Sequence, residues 1–242
     1  MFSQINIKGY NMKFSIVFDN YVANEKLESF WGFSCVINDY FLFDTGSNGR
    51  ALVRNIAKMG FDINEFKYLF ISHPHWDHIG GIDSIVDVNR KMSLILPNSL
   101  SKLYIKDLKT LSRETIVVDS SPKKLFGSIY TTGVMEPVGE QSLVIDEGEF
   151  SVVVTGCAHP GIVNIVKRAI EMLGKPVLYA LGGFHLMRSS EAEIIQTISE
   201  LKNLGVEYVT PTHCSGDLAI EMFKEFYGEN YIPGGVGRVI EF

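Results

Sequence analysis

The sequence has 242 residues, of which 46% are hydrophobic and 21% are charged, enough for a soluble globular domain that buries its own core. Its formal net charge is −6, without a long block of like charges, which argues against nucleic acid as the main partner. A membrane-spanning helix is excluded because no run of about 18 apolar residues occurs. Three isolated cysteines without a secretory apolar stretch favour a cytoplasmic protein with reduced thiols.

Short β-rich segments alternate with helical segments along the chain. Strands are predicted at 14–18, 33–37, 40–43, 68–71, 93–96, 115–118, 142–145, 151–154, 176–181, 208–210 and 238–241. Helices are predicted at 52–57, 162–170, 194–204 and 218–226. Residues 97–139 are the least periodic and are interpreted as loops and short elements. This order predicts a single α/β domain over residues 1–242, with residues 1–12 as a candidate extension.

The densest group of polar residues follows the predicted strand at 68–71. It contains His73, His75, Asp77 and His78, whereas the whole sequence has only six histidines. In an extended chain, residues two apart point to the same side, so His73 and His75 are expected to converge. Three imidazoles and a carboxylate suit zinc, manganese or iron. The segment therefore predicts a metal site.

The remaining histidines also follow predicted strands. His159, His185 and His213 each lie between a strand and a helix, where α/β proteins place their sites. A lone histidine is usually structural, but three in the same local context favour a shared site. Asp44 ends the strand at 40–43 and has two interpretations: a turn residue, or a carboxylate that orients a ligand histidine.

The pattern H-x-H-x-D-H after a strand, with Asp-Thr-Gly upstream at 44–46 and later strand-end histidines, resembles the metallo-β-lactamase superfamily. Segments beginning at Glu140, Thr155, Gly182 and Pro211 are similar to one branch, the 7,8-dihydropterin-6-yl-methyl-4-(β-D-ribofuranosyl)aminobenzene 5′-phosphate synthases. The resemblance extends from about residue 13 to the C-terminus. It implies a four-layer αβ/βα sandwich, in which two mixed sheets are flanked by helices and the site lies along one edge of the sheets.

The resemblance also implies one or two divalent ions, zinc first, with manganese, iron or nickel as alternatives. The implied ligands are His73, His75 and His159 for the first ion, and Asp77, His78 and His213 for the second. Many relatives carry a bridging aspartate after the penultimate strand, where this chain has Gly182-Gly183. The second ion is therefore expected to bind more weakly.

These features predict a metal-dependent hydrolase, or an enzyme that displaces a phosphoester or pyrophosphate, acting on a phosphorylated small molecule. The branch implies a pterin-type substrate and a dihydropterin transferase or synthase. A helix opened by Pro160-Gly161 beside His159 favours an anionic substrate. His185 is expected to be catalytic and to face the substrate, because a seventh protein ligand would close a coordination position that catalysis needs.

Two other classes are considered. One is a metal-retaining ligand-binding or sensor protein with little turnover, since ligands alone do not establish catalysis. The other is a di-iron oxidoreductase. His75 where such relatives have glutamate, and Gly183 where they have aspartate, argue against it. The sequence indicates no oligomeric state.

Overall fold

The computed structural model describes residues 4–6 and 12–241. The chain forms two compact units, one comprising the residues up to Val118 and from Gly234 onward, the other comprising Asp119–Pro233. The single domain over residues 1–242 stays a prediction. The candidate extension over residues 1–12 lies mostly outside the described residues, although Gln4–Asn6 form a short strand.

The elements are numbered in chain order. The strands are β1 (Gln4–Asn6), β2 (Lys13–Phe18), β3 (Ser34–Ile37), β4 (Phe41–Phe43), β5 (Tyr68–Phe70), β6 (Ser93–Pro97), β7 (Glu114–Val118), β8 (Lys123–Phe126), β9 (Ile129–Thr131), β10 (Leu143–Asp146), β11 (Ser151–Thr155), β12 (Val177–Gly183), β13 (Tyr208–Thr212) and β14 (Val239–Glu241). The helices are α1 (Gly49–Lys58), α2 (Trp76–Ile79), α3 (Ile82–Val88), α4 (Lys102–Thr110), α5 (Ile162–Leu173), α6 (Glu191–Asn203) and α7 (Asp217–Tyr227). Short 3₁₀ turns occupy Ile63–Glu65, His213–Ser215 and Gly228–Asn230.

The first unit is built on an eight-stranded mixed sheet in the order β1-β14-β2-β3-β4-β5-β6-β7. Strands β4 to β7 are parallel and largely apolar, as expected for strands covered on both faces. Leu52 and Ile56 of α1 and Ile85 of α3 belong to the buried cluster of this unit. Phe43 pairs with Phe70, so the carboxyl ends of β4 and β5 lie side by side.

The second unit contains a six-stranded mixed sheet in the order β13-β12-β11-β10-β9-β8. Its three parallel strands, β11 to β13, are in a register that pairs Thr155 with Gly182 and Gly182 with Pro211. Apolar residues of α5, α6 and α7, including Ile165, Ile198 and Phe223, belong to the buried cluster of this unit. The parallel register brings three strand ends to one edge of the sheet.

The expected α/β class with two mixed sheets is confirmed, and every predicted strand is present to within a few residues. The predicted helices are also present, and the capping box of Ser190 and Glu193 opens α6. Helix α3 was not predicted, and neither were α4, β8 and β9 within residues 97–139. These elements are short, and side chains such as Leu103 and Val88 are exposed, which obscures their periodicity. Within the described part of the chain, no helix is long and apolar enough for a bilayer crossing.

Candidate metal centre

Four of the predicted metal ligands lie together beyond the end of β5. His73 Nε2 lies 3.1 Å from His75 Nδ1, and Asp77 Oδ2 lies 3.8 Å from His78 Nε2. His75 is exposed and the other three are buried. Helix α2 begins at Trp76, so Asp77 and His78 are fixed on its first turn. The first cluster is defined as Asp44, Ser72, His73, His75, Asp77 and His78.

Asp44 holds the buried side of this cluster. Its carboxylate accepts hydrogen bonds from the Ser72 backbone N–H at 2.7 Å, from Ser72 Oγ at 2.6 Å and from His78 Nδ1 at 2.7 Å. Because a carboxylate only accepts, His78 Nδ1 carries the proton and Nε2 keeps its lone pair. Asp44 therefore has the geometry that the orienting interpretation requires, and that role stays a prediction.

Ser72 contacts His73 as Asp44 contacts His78, through a hydrogen bond to Nδ1. Its hydroxyl has one proton, which is donated to Asp44, so Ser72 Oγ accepts from His73 Nδ1 at 2.8 Å. The lone pair of His73 is then on Nε2, beside His75. Histidines that bind metals usually have their other ring nitrogen held in this way. The donor set of the first cluster thus fits a divalent ion.

The other predicted site residues lie in the second unit. His159, His185 and His213 follow the carboxyl ends of β11, β12 and β13. The rings of His159 and His185 are 4.4 Å apart between centroids. His213 is buried, His159 half-buried and His185 exposed. The second cluster is defined as Glu140, Cys157, His159, His185, His213 and Cys214.

Glu140 contacts the predicted ligand His159, and sequence reasoning gave it no role. Its buried carboxylate accepts hydrogen bonds from the backbone N–H groups of Cys157, Ala158 and His159 at 2.8–2.9 Å. It also lies 2.8 Å from His159 Nδ1. Nδ1 therefore carries the proton and Nε2 keeps its lone pair. The only signal in the sequence was the position of Glu140 at the start of a family-like segment.

A cavity of about 340 Å³ adjoins His159 and His185 in the second unit. Its wall includes Gly161 and Ile162, where α5 begins after the Gly161 N-cap. The helix thus starts two residues after Pro160. A hydrogen bond with Cys214 raises the pKa of His185, and the desolvation of its ring opposes this. A larger cavity of about 680 Å³ in the first unit contains none of the predicted site residues.

The glycine pair at the end of β12 leaves no room for a side chain. A Cβ atom on Gly183 would lie 2.4 Å from the carbonyl oxygen of Gly156 and 2.6 Å from Cys214 Sγ. A Cβ on Gly182 would meet the Thr155 carbonyl oxygen at 2.1 Å. The packing of the second unit therefore does not accommodate a bridging aspartate at Gly183, because the Gly156 carbonyl oxygen and the Cys214 sulfur occupy the space that its side chain would need.

We expect Gly183→Asp to lower the free energy of unfolding by about 1–3 kcal/mol or more, as overpacking does. The control is Glu149→Asp, because Glu149 is exposed and lies on the same unit. Urea unfolding of both variants measures the difference. Equal urea midpoints for Gly183→Asp and the unsubstituted protein would show that the end of β12 can accommodate an aspartate side chain without loss of stability.

Comparisons with known proteins agree with this geometry. The sequence profile of the Metallo-beta-lactamase superfamily matches residues 36–213. A Methanocaldococcus jannaschii protein named 7,8-dihydropterin-6-methyl-4-(beta-D-ribofuranosyl)-aminobenzene-5′-phosphate synthase is 28% identical over 252 residues, covering 85% of each chain. The structure of Tm1679, described as a metal-dependent hydrolase of the beta-lactamase superfamily, has a TM-score of 0.81 at 25% identity and covers 96% of this chain and 99% of its own. YhfI from Bacillus subtilis shares the fold, with a TM-score of 0.67 at 16% identity over 95% of this chain and 99% of its own.

Proposed function

Since the chain belongs to the metallo-β-lactamase superfamily, we propose that it is a metal-dependent hydrolase, or an enzyme that displaces a phosphoester or pyrophosphate, acting on a phosphorylated small molecule. The observation that carries this proposal is the way three imidazoles are held. His73, His78 and His159 each have Nδ1 against a neighbouring oxygen at 2.7–2.8 Å. Each therefore keeps on Nε2 a lone pair that can bind a metal ion. A purely structural histidine does not require this arrangement.

The ligand sets follow the family pattern. They are His73, His75 and His159 for the first ion, and Asp77, His78 and His213 for the second. Zinc suits these donors best, and manganese, iron and nickel are the alternatives. A bound divalent ion supplies Lewis acidity toward a phosphoryl oxygen and activates water. Asp44 and Glu140 keep the ligand rings in one orientation and one protonation state.

The cavity beside His159 and His185 is the proposed substrate site. Its volume of about 340 Å³ is within the range of small-molecule sites. The N-terminus of α5 contributes backbone N–H groups that favour an anion such as a phosphate. Ile162 and Leu186 add apolar surface for a flat ring. A pterin-type substrate is supported by the name of the M. jannaschii relative.

We expect turnover of phosphoesters or pyrophosphates, among them a dihydropterin pyrophosphate, and little turnover of β-lactams. Protein loaded with Zn²⁺ or Mn²⁺ is assayed against both substrate groups for released phosphate, pyrophosphate or opened lactam. Efficient β-lactam hydrolysis without any phosphoester turnover would refute the proposed substrate class. Tight binding of phosphorylated ligands without turnover would favour the sensor alternative.

We expect one to two metal equivalents per chain in protein purified without chelator. The second ion should leave first under mild chelation, because Gly183 supplies no carboxylate to its ligand set. Stepwise chelator titration with elemental analysis measures both. Less than about 0.2 metal equivalents per chain after reconstitution with Zn²⁺ or Mn²⁺ would overturn the metal assignment. Simultaneous loss of both ions would contradict the expectation that the second ion binds more weakly.

A further inference from the structure

Three donor atoms of the second cluster form a group that the proposed ligand sets do not use. The sulfur atoms of Cys157 and Cys214 and a ring nitrogen of His185 all lie within 4.8 Å of one another. Both cysteines are buried, and His185 is exposed. Cys214 Sγ is hydrogen-bonded to His185 and also lies 3.5 Å from the Cys157 carbonyl oxygen. Two thiols thus converge on an imidazole that solvent can reach.

We propose that Cys157, Cys214 and His185 form a binding site for a thiophilic metal ion such as Cd²⁺ or Cu⁺. Two sulfurs and one imidazole nitrogen are the donors that soft and borderline ions select. The tetrahedral bonds of zinc, about 2.3 Å to sulfur and 2.0–2.1 Å to nitrogen, place such donors about 3.6–3.8 Å apart. The larger Cd²⁺ ion holds them somewhat farther apart, so small side-chain rotations complete the site. The exposed edge of His185 provides the entry path and leaves a position for water.

The proposed soft-metal site shares His185 with the cavity, which His185 also lines. An ion bound to this imidazole occupies the nitrogen lone pair, so His185 can no longer take up the second proton that a general acid donates. A thiophilic ion should therefore inhibit turnover while Mn²⁺ remains bound elsewhere. This inhibition rests on the proposed function, whereas the binding itself does not.

The chain provides a matched control for the two thiols. Cys35, on β3 in the first unit, is also fully buried, and burial raises the pKa of its thiol. It belongs to no group of converging metal donors among the described residues. Cys35→Ser therefore removes one buried thiol and leaves the soft-metal site intact.

The test adds Cd²⁺ to Mn²⁺-loaded protein and follows the ultraviolet charge-transfer absorption that thiolate–Cd²⁺ bonds produce. Mn²⁺ prefers oxygen and nitrogen donors, so it leaves the thiols available. We expect the absorption to saturate at the amplitude of two thiolate–Cd²⁺ bonds per chain in the unsubstituted protein and in Cys35→Ser. It should be lost in Cys157→Ser and in Cys214→Ser. Absorption that keeps its full amplitude in either variant, or that disappears in Cys35→Ser, would overturn the site.

A second measurement needs no substitution and covers the case in which a buried serine disrupts folding. Cadmium X-ray absorption of the unsubstituted protein should show two sulfur neighbours and at least one nitrogen. Coordination by oxygen and nitrogen alone would overturn the site. If Cd²⁺ binds with two sulfurs but no phosphorylated substrate is turned over, the soft-metal site stands and the proposed function fails.

Discussion

Replacing His185 by alanine lowers kcat on a phosphorylated substrate by about 10²–10⁴-fold, the usual contribution of a general acid or base. The imidazole is exposed, lines the cavity and lies 4.4 Å from the His159 ring between centroids. It can therefore reach a substrate beside the metal ligands. Its loss removes the proton donor to a leaving group, or a hydrogen bond to phosphate, without emptying the proposed ligand sets.

Mn²⁺-loaded protein is the right form for this measurement, since Mn²⁺ does not favour the neighbouring thiols. Steady-state kinetics and elemental analysis are performed on the same samples. Arg188→Ala, an exposed change three residues away, is the control and should have a much smaller effect. If His185→Ala loses an equivalent of Mn²⁺, the residue is a ligand of the catalytic ions. Unchanged activity would make it structural.

Glu140→Gln weakens the binding of the ion held by His159 by about 10–100-fold, the usual cost of removing a residue that orients a metal ligand. Each carboxylate oxygen of Glu140 accepts two hydrogen bonds, from Cys157 and Ala158 on one side and from His159 on the other. A glutamine amide has only one acceptor oxygen. Its NH₂ group would face N–H donors, so the loop and the His159 ring must rearrange.

Calorimetric metal titration measures this change, with circular dichroism to verify the fold. Glu149→Gln is the control, because Glu149 is exposed and lies on the same unit. We expect its affinity to match that of the unsubstituted protein. Restored affinity in Glu140→Asp would support an orienting carboxylate. Wild-type affinity in folded Glu140→Gln would show that His159 needs no such support.

The sequence allowed the prediction of those site residues whose position follows from local order. A parallel strand precedes each of His159, His185 and His213. Because parallel strands bring their carboxyl ends to one edge of a sheet, the order of these residues in the sequence was enough to predict that they lie at the same edge. Asp44 could be ranked only as one of two interpretations, because its contact with His78 spans 34 positions.

Long-range packing accounts for what the sequence did not reveal. Glu140 bonds to residues 17–19 positions later, and no local pattern distinguishes it from a surface glutamate. Cys157 and Cys214, 57 positions apart, were interpreted as isolated thiols. Helix α4 and strands β8 and β9 were obscured because short, half-exposed elements depend on their neighbours more than on their own apolar spacing.

The backbone at the strand ends restricts how these positions can change during evolution. Asp44, Ala158, His185 and His213 have φ between 51° and 61°, a left-handed conformation that aspartate, asparagine and histidine adopt more readily than most residues. Branched aliphatic residues are strongly disfavoured there. Evolution can therefore replace Asp44, His185 or His213 by another polar residue, which changes the chemistry of the site and keeps the backbone. Valine or isoleucine at these positions would require a change in the backbone conformation of the loop.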